Sequence, residues 1–177
     1  MRNGPASCSP ARSVPVTIAA QLQFTATFCP MTTPLHPSPA SAAERAQLTD
    51  VRNGLLRLHK VLLDWERIRY ERANGRISDN MKFLHLTMND PAFAWLRELS
   101  ALIVEIDERM EDKKAPLTDF DVKSHLSESR KLLSPSQTGG EFQRNYYWAL
   151  QETPDIVVAH AGMVKLLASR SSPTRLD

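Results

Sequence analysis

Residues 41–75 read SAAERAQLTDVRNGLLRLHKVLLDWERIRYERANG, and this stretch predicts one long amphipathic helix. Ser41 and Glu44 have the spacing of a capping box at a helix start. Asn74 and Gly75 supply a stop, so we expect the helix to run from Ser41 to about Ala73. Its apolar side chains recur every three or four residues on one broad arc, as in a helix packed on a core. They are Leu48, Val51, Leu55, Leu56, Leu58, Leu62, Leu63 and Trp65.

Start and stop signals of the same kind divide the rest of the chain into five more helices. Their expected bounds are Ser78 to Met88, Asp90 to about Asp112, Thr118 to just before Pro135, Glu141 to Glu152, and Thr153 to about Ser169. No stretch alternates apolar and polar residues with the β-branched enrichment of a strand. The sequence therefore predicts an all-α fold, an antiparallel bundle of about six helices, two long and four shorter. Trp65 and Trp95 are expected to fill its core.

A proline-rich segment precedes these helices. Seven of the twelve prolines lie within residues 1–40, so this segment is predicted to be a disordered extension. Its apolar run is interrupted by Pro15, Gln21 and Gln23, which disfavours a signal peptide. The change in composition also makes Met31 a candidate for the true start. Residues 41–169 are predicted to be the helical domain, and residues 170–177 a flexible tail.

The net charge of +2 resides in the two ends of the chain. The charged residues outside the helical region are Arg2, Arg12, Arg170, Arg175 and Asp177. Inside it, 18 basic and 19 acidic residues balance, whereas a nucleic-acid-binding domain concentrates positive charge on its folded part. No apolar stretch approaches the roughly 20 residues of a membrane span. We therefore expect neither nucleic acid nor membrane as a partner.

Both cysteines, Cys8 and Cys29, lie in the N-terminal segment. The helical region therefore lacks a disulfide framework and thiolate metal sites. This cysteine usage favours a reducing cytoplasm, and no motif predicts a cofactor.

Several polar side chains lie on the apolar faces of the predicted helices. They are His59, Glu66, Arg69 and Tyr70 on the first helix, Ser100 and Asp107 on the third, and His160 on the sixth. Burying such groups is costly unless they are paired. One interpretation is a metal or acid–base site formed by His59, Asp107 and His160, although no Glu-x-x-His or His-x-x-x-His spacing supports it. The favoured interpretation is an internal network of Glu66, Arg69 and Tyr70 with separately paired histidines.

Two surfaces are candidates for contact with a partner. Arg67, Arg72 and Arg76 cluster near the end of the first helix. They either hold a phosphate or acidic partner, or complement the helix dipole and pair with nearby carboxylates. On the fifth helix Tyr147 and Trp148 point away from the predicted core face, so they are either covered by a second layer or available to a partner.

The segment Asn89–Arg97, taken with Leu58–Lys60 and Leu63–Arg67, resembles a family of small all-helical bacterial proteins of unknown function. The resemblance covers about residues 45–168 and implies a helical fold without implying an activity. The sequence has no catalytic or nucleotide-binding motif that identifies a reaction. The sequence therefore favours a non-enzymatic interaction module that self-associates or binds a protein partner. The alternative is a bundle that binds a metal or small molecule at His59, Asp107 and His160.

Overall fold

The first helix, α1, spans Ala42–Asn74 in the computed structural model, which describes residues 38–168. At its start the Ser41 hydroxyl accepts the Glu44 N–H at 3.2 Å, and the Glu44 carboxylate accepts the Ser41 N–H at 2.8 Å. At its end the Gly75 N–H donates to the Glu71 carbonyl. Gly75 has a φ of 83°, a conformation that glycine adopts without strain. Both ends of α1 lie within one residue of the prediction.

Five more α-helices and one 3-10 helix follow within residues 38–168. They are α2 (Asn80–Asn89), the 3-10 helix (Pro91–Leu96), α3 (Arg97–Glu111), α4 (Asp119–Leu132), α5 (Glu141–Glu152) and α6 (Pro154–Ala168). The predicted all-α class is confirmed, because no strand occurs in this part of the chain. None of these helices combines the length and the apolar composition needed to cross a membrane.

The predicted N-cap of α2 is wrong by one residue. The Asp79 carboxylate, and not the Ser78 hydroxyl, accepts the Lys82 N–H at 2.8 Å. The Ser78 hydroxyl donates to that same carboxylate at 2.8 Å. Ser78 and Asp79 could each cap this helix, and the Asp79 carboxylate is the group that does so.

The Asp90-Pro91 signal begins the 3-10 helix and not the predicted long third helix. The Asp90 carboxylate accepts the Ala92 N–H at 2.9 Å, and proline fits the first turn. Residues three apart lie above one another in a 3-10 helix, so Phe93 and Leu96 share a side, and both are buried. A capped proline start suits both helix types, which is why the sequence signal did not separate them.

Helix α1 runs antiparallel to both α3 and α6. Against the 3-10 helix and α3, successive hydrogen bonds join Arg52 to Asp107, His59 to Ser100 and Glu66 to Trp95. Against α6, Gly54 lies beside Met163 and Leu166, whereas the Trp65 indole donates to Glu152, which ends α5. Later residues of α1 thus meet earlier residues of both partners, as the sequence predicts for an antiparallel bundle.

The core surrounds α1. Its side chains Leu48, Val51, Leu55, Leu58 and Leu62 are fully buried. Trp65 and Trp95 retain only 7% and 3% exposure, and their rings meet edge to face with centres 6.1 Å apart. Both tryptophans fill the core, as predicted. Leu56 differs from the prediction, because it lies at the edge of the arc and is exposed.

The helical domain begins earlier than the sequence indicates. The Ala40 N–H donates to the Leu117 carbonyl at 2.8 Å, and the Asp119 N–H donates to the Ser38 carbonyl at 2.9 Å. Residues 38–40, assigned above to the extension, therefore pair with the start of α4. Residues 1–37 and 169–177 lie outside the described residues, and with them lie the rest of the predicted extension and the tail.

A capping box begins α4, and Arg109 links it to the end of α3. The Thr118 hydroxyl accepts the Asp121 N–H at 3.2 Å, and the Asp121 carboxylate accepts the Thr118 N–H at 2.8 Å. Arg109 of α3 donates to the same carboxylate at 2.5 Å. Burial alone would raise the pKa of Asp121, but the hydrogen bonds from Arg109 and Thr118 lower it to about 2. The predicted Thr118 start is confirmed.

Candidate functional site

A line of polar contacts follows the junction of α1 with the 3-10 helix and α3, and we call it the polar seam. Its α1 members, Arg52, His59 and Glu66, are seven residues apart, which places them on one side of the helix. Arg52 binds the Asp107 carboxylate through two hydrogen bonds of 2.6 and 2.8 Å. His59 Nε2 lies 2.9 Å from the Ser100 hydroxyl, and burial lowers the pKa of His59. The seam thus supplies partners to four of the polar residues that the sequence places on apolar faces.

Glu66 is the one charged side chain in residues 38–168 that is buried, with 5% of its surface exposed. Its Oε2 accepts the Trp95 indole N–H at 3.0 Å and an Arg69 N–H at 3.2 Å. Burial raises the pKa of Glu66, while the Arg69 charge and both hydrogen bonds act in the opposite direction. These two donors therefore stabilise the charged form of the buried Glu66 carboxylate.

Tyr70 does not belong to the network predicted with Glu66 and Arg69. Its ring packs on Phe93 with centres 5.6 Å apart, and its hydroxyl donates to Asp90 Oδ2 at 3.4 Å. The 3-10 helix brings Phe93 and Asp90 to this end of α1, and that packing decides which carboxylate Tyr70 meets.

His160 is paired with Tyr146 at the contact of α5 with α6. Its Nδ1 lies 2.8 Å from the Tyr146 hydroxyl. The Tyr146 side chain is fully buried, and burial raises its pKa while lowering the pKa of His160. The pair is therefore neutral near pH 7, which suits an apolar contact between two helices.

His59, Asp107 and His160 do not form the joint site suggested by the sequence. Each has a different partner: Ser100, Arg52 and Tyr146, respectively. Within residues 38–168 no three histidine, cysteine, aspartate or glutamate side chains are placed to hold a metal ion. His59, Asp107 and His160 therefore form three separate pairs and not one metal site, because the helices that carry them meet the neighbouring elements at different places.

In the arginine cluster at the end of α1, Arg67 is engaged within the chain. Arg67 donates to Glu71 at 3.1 Å, and its guanidinium lies 4.9 Å from the centre of the Phe83 ring. The hydrogen bond from Arg67 lowers the pKa of Glu71. Arg72 and Arg76 are exposed. Local pairing thus accounts for Arg67, and the use of Arg72 and Arg76 by an acidic partner stays a prediction.

Tyr147 and Trp148 lie on the outer side of α5. Trp148 is 57% exposed, and its ring meets the Tyr147 ring edge to face with centres 5.3 Å apart. No second layer within residues 38–168 buries Trp148, so one of the two interpretations offered above is removed. A partner at this surface stays a prediction.

An apolar groove of about 550 Å³ lies between α1 and α6, and sequence reasoning missed it. Of the 15 residues of α6, only Asp155, His160 and Lys165 have titratable side chains, a composition typical of a helix buried all round. Yet α6 buries only one side, and Val158 is 71% exposed on the groove. The excess of apolar residues on α6 was the signal in the sequence that pointed to this surface.

In comparisons with protein-family models, curated proteins and solved structures, none matched the chain. The resemblance to a family of small bacterial helical proteins therefore stays a prediction.

Proposed function

We propose that this protein is a non-enzymatic interaction module that pairs with a second copy of itself through α6. The observation that supports the proposal is the order of residues along one side of this helix. Asp155, Val158, Gly162 and Lys165 all line the groove against α1, and we call them the α6 stripe. Their spacing of three, four and three residues is the spacing of core positions in a coiled coil.

The α6 stripe is complementary to its own reverse. When two copies pack antiparallel about a twofold axis near residue 160, Asp155 comes opposite Lys165 of the second copy. The same register places Val158 opposite Gly162. Opposite charges then meet at both ends of the contact. On each side of the axis, the Val158 side chain of one copy packs against the space left by Gly162 of the other. A single register satisfies all four positions, which favours a second copy over an unrelated helix.

Gly162 fits this proposal because the single chain gives no reason for it. A Cβ at this position would meet nothing within 4 Å. Glycine inside a helix costs roughly 1 kcal/mol relative to alanine, so a glycine with no close neighbour weakens α6. No packing contact within residues 38–168 compensates this loss of stability, whereas the close approach of a second helix would.

The opposite wall of the groove extends the contact. It consists of Gly54, Arg57 and Val61, which repeat along one side of α1. A contact made by one helix in a shallow groove is smaller than the roughly 1,200 Å² of a stable interface, so we expect a dissociation constant of roughly micromolar or weaker.

Sedimentation velocity of the full chain, from roughly 5 to 500 µM, tests the proposal. The wild-type chain is expected to shift from monomer to dimer across this range. Val158→Glu places a carboxylate at the centre of the contact and should leave the chain monomeric. Val104→Glu is the matched control, because Val104 is 51% exposed on α3, away from the groove. A wild-type chain that stays monomeric throughout, or a Val158→Glu variant that dimerises normally, would contradict self-pairing through α6.

A charge exchange tests the register separately. Asp155→Lys and Lys165→Asp each place like charges opposite one another, so each is expected to weaken dimerisation. The double variant restores opposite charges and should dimerise better than either single variant. Circular dichroism of all three variants controls for loss of helix, because both exchanges oppose the dipole of α6. A double variant that dimerises no better than the stronger of the two single variants would exclude the antiparallel register.

A further inference from the structure

A second apolar recess lies beside α2, away from the groove between α1 and α6. It has a volume of about 450 Å³ and shares no lining residue with the groove between α1 and α6. Its apolar walls include Leu63 of α1, Phe93 of the 3-10 helix, and Leu84 and Met88 of α2. The polar pair of His59 and Ser100 also lines it. We call this recess the α2 cleft.

Helix α2 is less buried than the other elements that line the cleft. It has no buried residue. Its side chains Phe83 and Leu86 pack against the core, and the Phe83 ring meets the Phe93 ring edge to face with centres 5.8 Å apart. Leu84 and Met88, which face the cleft, are 52% and 66% exposed. Apolar side chains that remain exposed along a cleft are stabilised when an apolar ligand removes them from water.

The polar groups of the cleft restrict the kind of ligand. His59 and Ser100 bond to each other, and the Ser100 hydroxyl also lies 3.3 Å from the Leu96 carbonyl. This pair is neutral, because burial lowers the pKa of His59. Among the residues that line the cleft, Arg97 alone has a formal charge. Its guanidinium donates to the Met88 carbonyl at 2.9 Å and retains further N–H donors.

We propose that the α2 cleft binds a medium-chain fatty acid, with the alkyl chain against α2 and the carboxylate at Arg97. The volume is within the range of small-molecule sites, and the walls are apolar with one cation at the edge. A guanidinium recognises a carboxylate through paired hydrogen bonds. An apolar chain with a single anionic end therefore matches both the walls and the charge of the cleft.

Isothermal titration of the full chain with decanoate, octanoate and decanol tests the proposal. Decanoate should bind more tightly than octanoate, by roughly fourfold for each of the two additional methylenes. Decanoate should also bind more tightly than decanol, and Arg97→Gln should abolish that preference while retaining decanol binding. Equal binding of acid and alcohol to the wild-type chain would contradict the role of Arg97.

A pair of variants on α2 locates the site. Leu84→Trp fills the cleft and should abolish decanoate binding. Met81→Trp is the matched control on the same helix, because Met81 is 74% exposed and does not line the cleft. No heat of binding to the wild-type chain, or equal loss in both variants, would overturn the proposal. Flotation with phosphatidylcholine vesicles without binding of free decanoate would overturn it as well. None of these outcomes depends on dimerisation through α6.

Discussion

At the scale of single residues, Glu66 joins α1 to the 3-10 helix through a buried hydrogen bond. Its carboxylate is buried and accepts the indole N–H of Trp95, itself a core residue. A buried donor that loses its acceptor costs roughly 1–3 kcal/mol, because it cannot return to water. Glu66→Leu is therefore expected to lower the free energy of unfolding by about that amount, measured by urea denaturation.

Glu66→Gln separates the hydrogen bond from the charge. Its amide oxygen can still accept the Trp95 N–H, while the attraction to Arg69 is lost. Arg69 is 44% exposed, so its attraction to Glu66 is partly screened by water. We expect Glu66→Gln to lose clearly less stability than Glu66→Leu. Equal losses in the two variants would show that the charge, and not the indole hydrogen bond, matters at this position.

At the scale of elements, α6 is less stable than it would be with alanine in place of Gly162. Gly162 has open space around its Cα, so Gly162→Ala should raise the free energy of unfolding by roughly 0.5–1 kcal/mol. The same methyl group narrows the gap proposed to receive Val158, so dimerisation should weaken. The two changes have opposite signs, which a general loss of structure would not produce. Urea denaturation at low protein concentration and sedimentation at high concentration measure them separately.

Gly54→Ala is the matched comparison on the facing wall of the groove. There an added Cβ would overlap Met163 Sδ and approach Leu166 Cδ1, so the two side chains would have to move. We expect Gly54→Ala to be less stable than Gly162→Ala. If both glycine substitutions stabilise the chain equally and neither affects dimerisation, the groove has no role in self-pairing.

At the scale of the whole molecule, the helices were predictable and their mutual contacts were not. The caps of α1 and α4 depend on residues three apart, which the sequence displays directly, and the apolar arcs follow from the helical period. The partner of Tyr70 depends on where the 3-10 helix carries Asp90, and no local pattern encodes that placement. Likewise, the groove and the α2 cleft arise from gaps between elements. The sequence identified His59 as unusual, but only packing reveals Ser100 as its partner.

Two half-buried histidines, His59 and His160, predict how the stability of the whole chain depends on pH. Burial lowers the pKa of both His59 and His160, whereas in the unfolded chain a histidine has a pKa of about 6.5. Between that value and the lower folded pKa, the unfolded chain binds more protons, so stability rises with pH. Acidification below about pH 6.5 should therefore destabilise the fold until the folded pKa is passed. Asp121 adds nothing in this window, because its pKa of about 2 confines its contribution to more acidic solution.

Urea denaturation at a series of pH values between roughly 5 and 7.5 measures this effect. The double variant His59→Gln with His160→Gln should show a flatter dependence of unfolding free energy on pH than the wild-type chain. His85→Gln is the matched control, because His85 is exposed on α2 and reaches water in the folded chain. Glu66, with its raised pKa, acts in the opposite direction and is present in all three chains, so the difference between them isolates the histidines. An identical slope in the double variant and the wild-type chain would show that the two histidine pairs do not control acid stability.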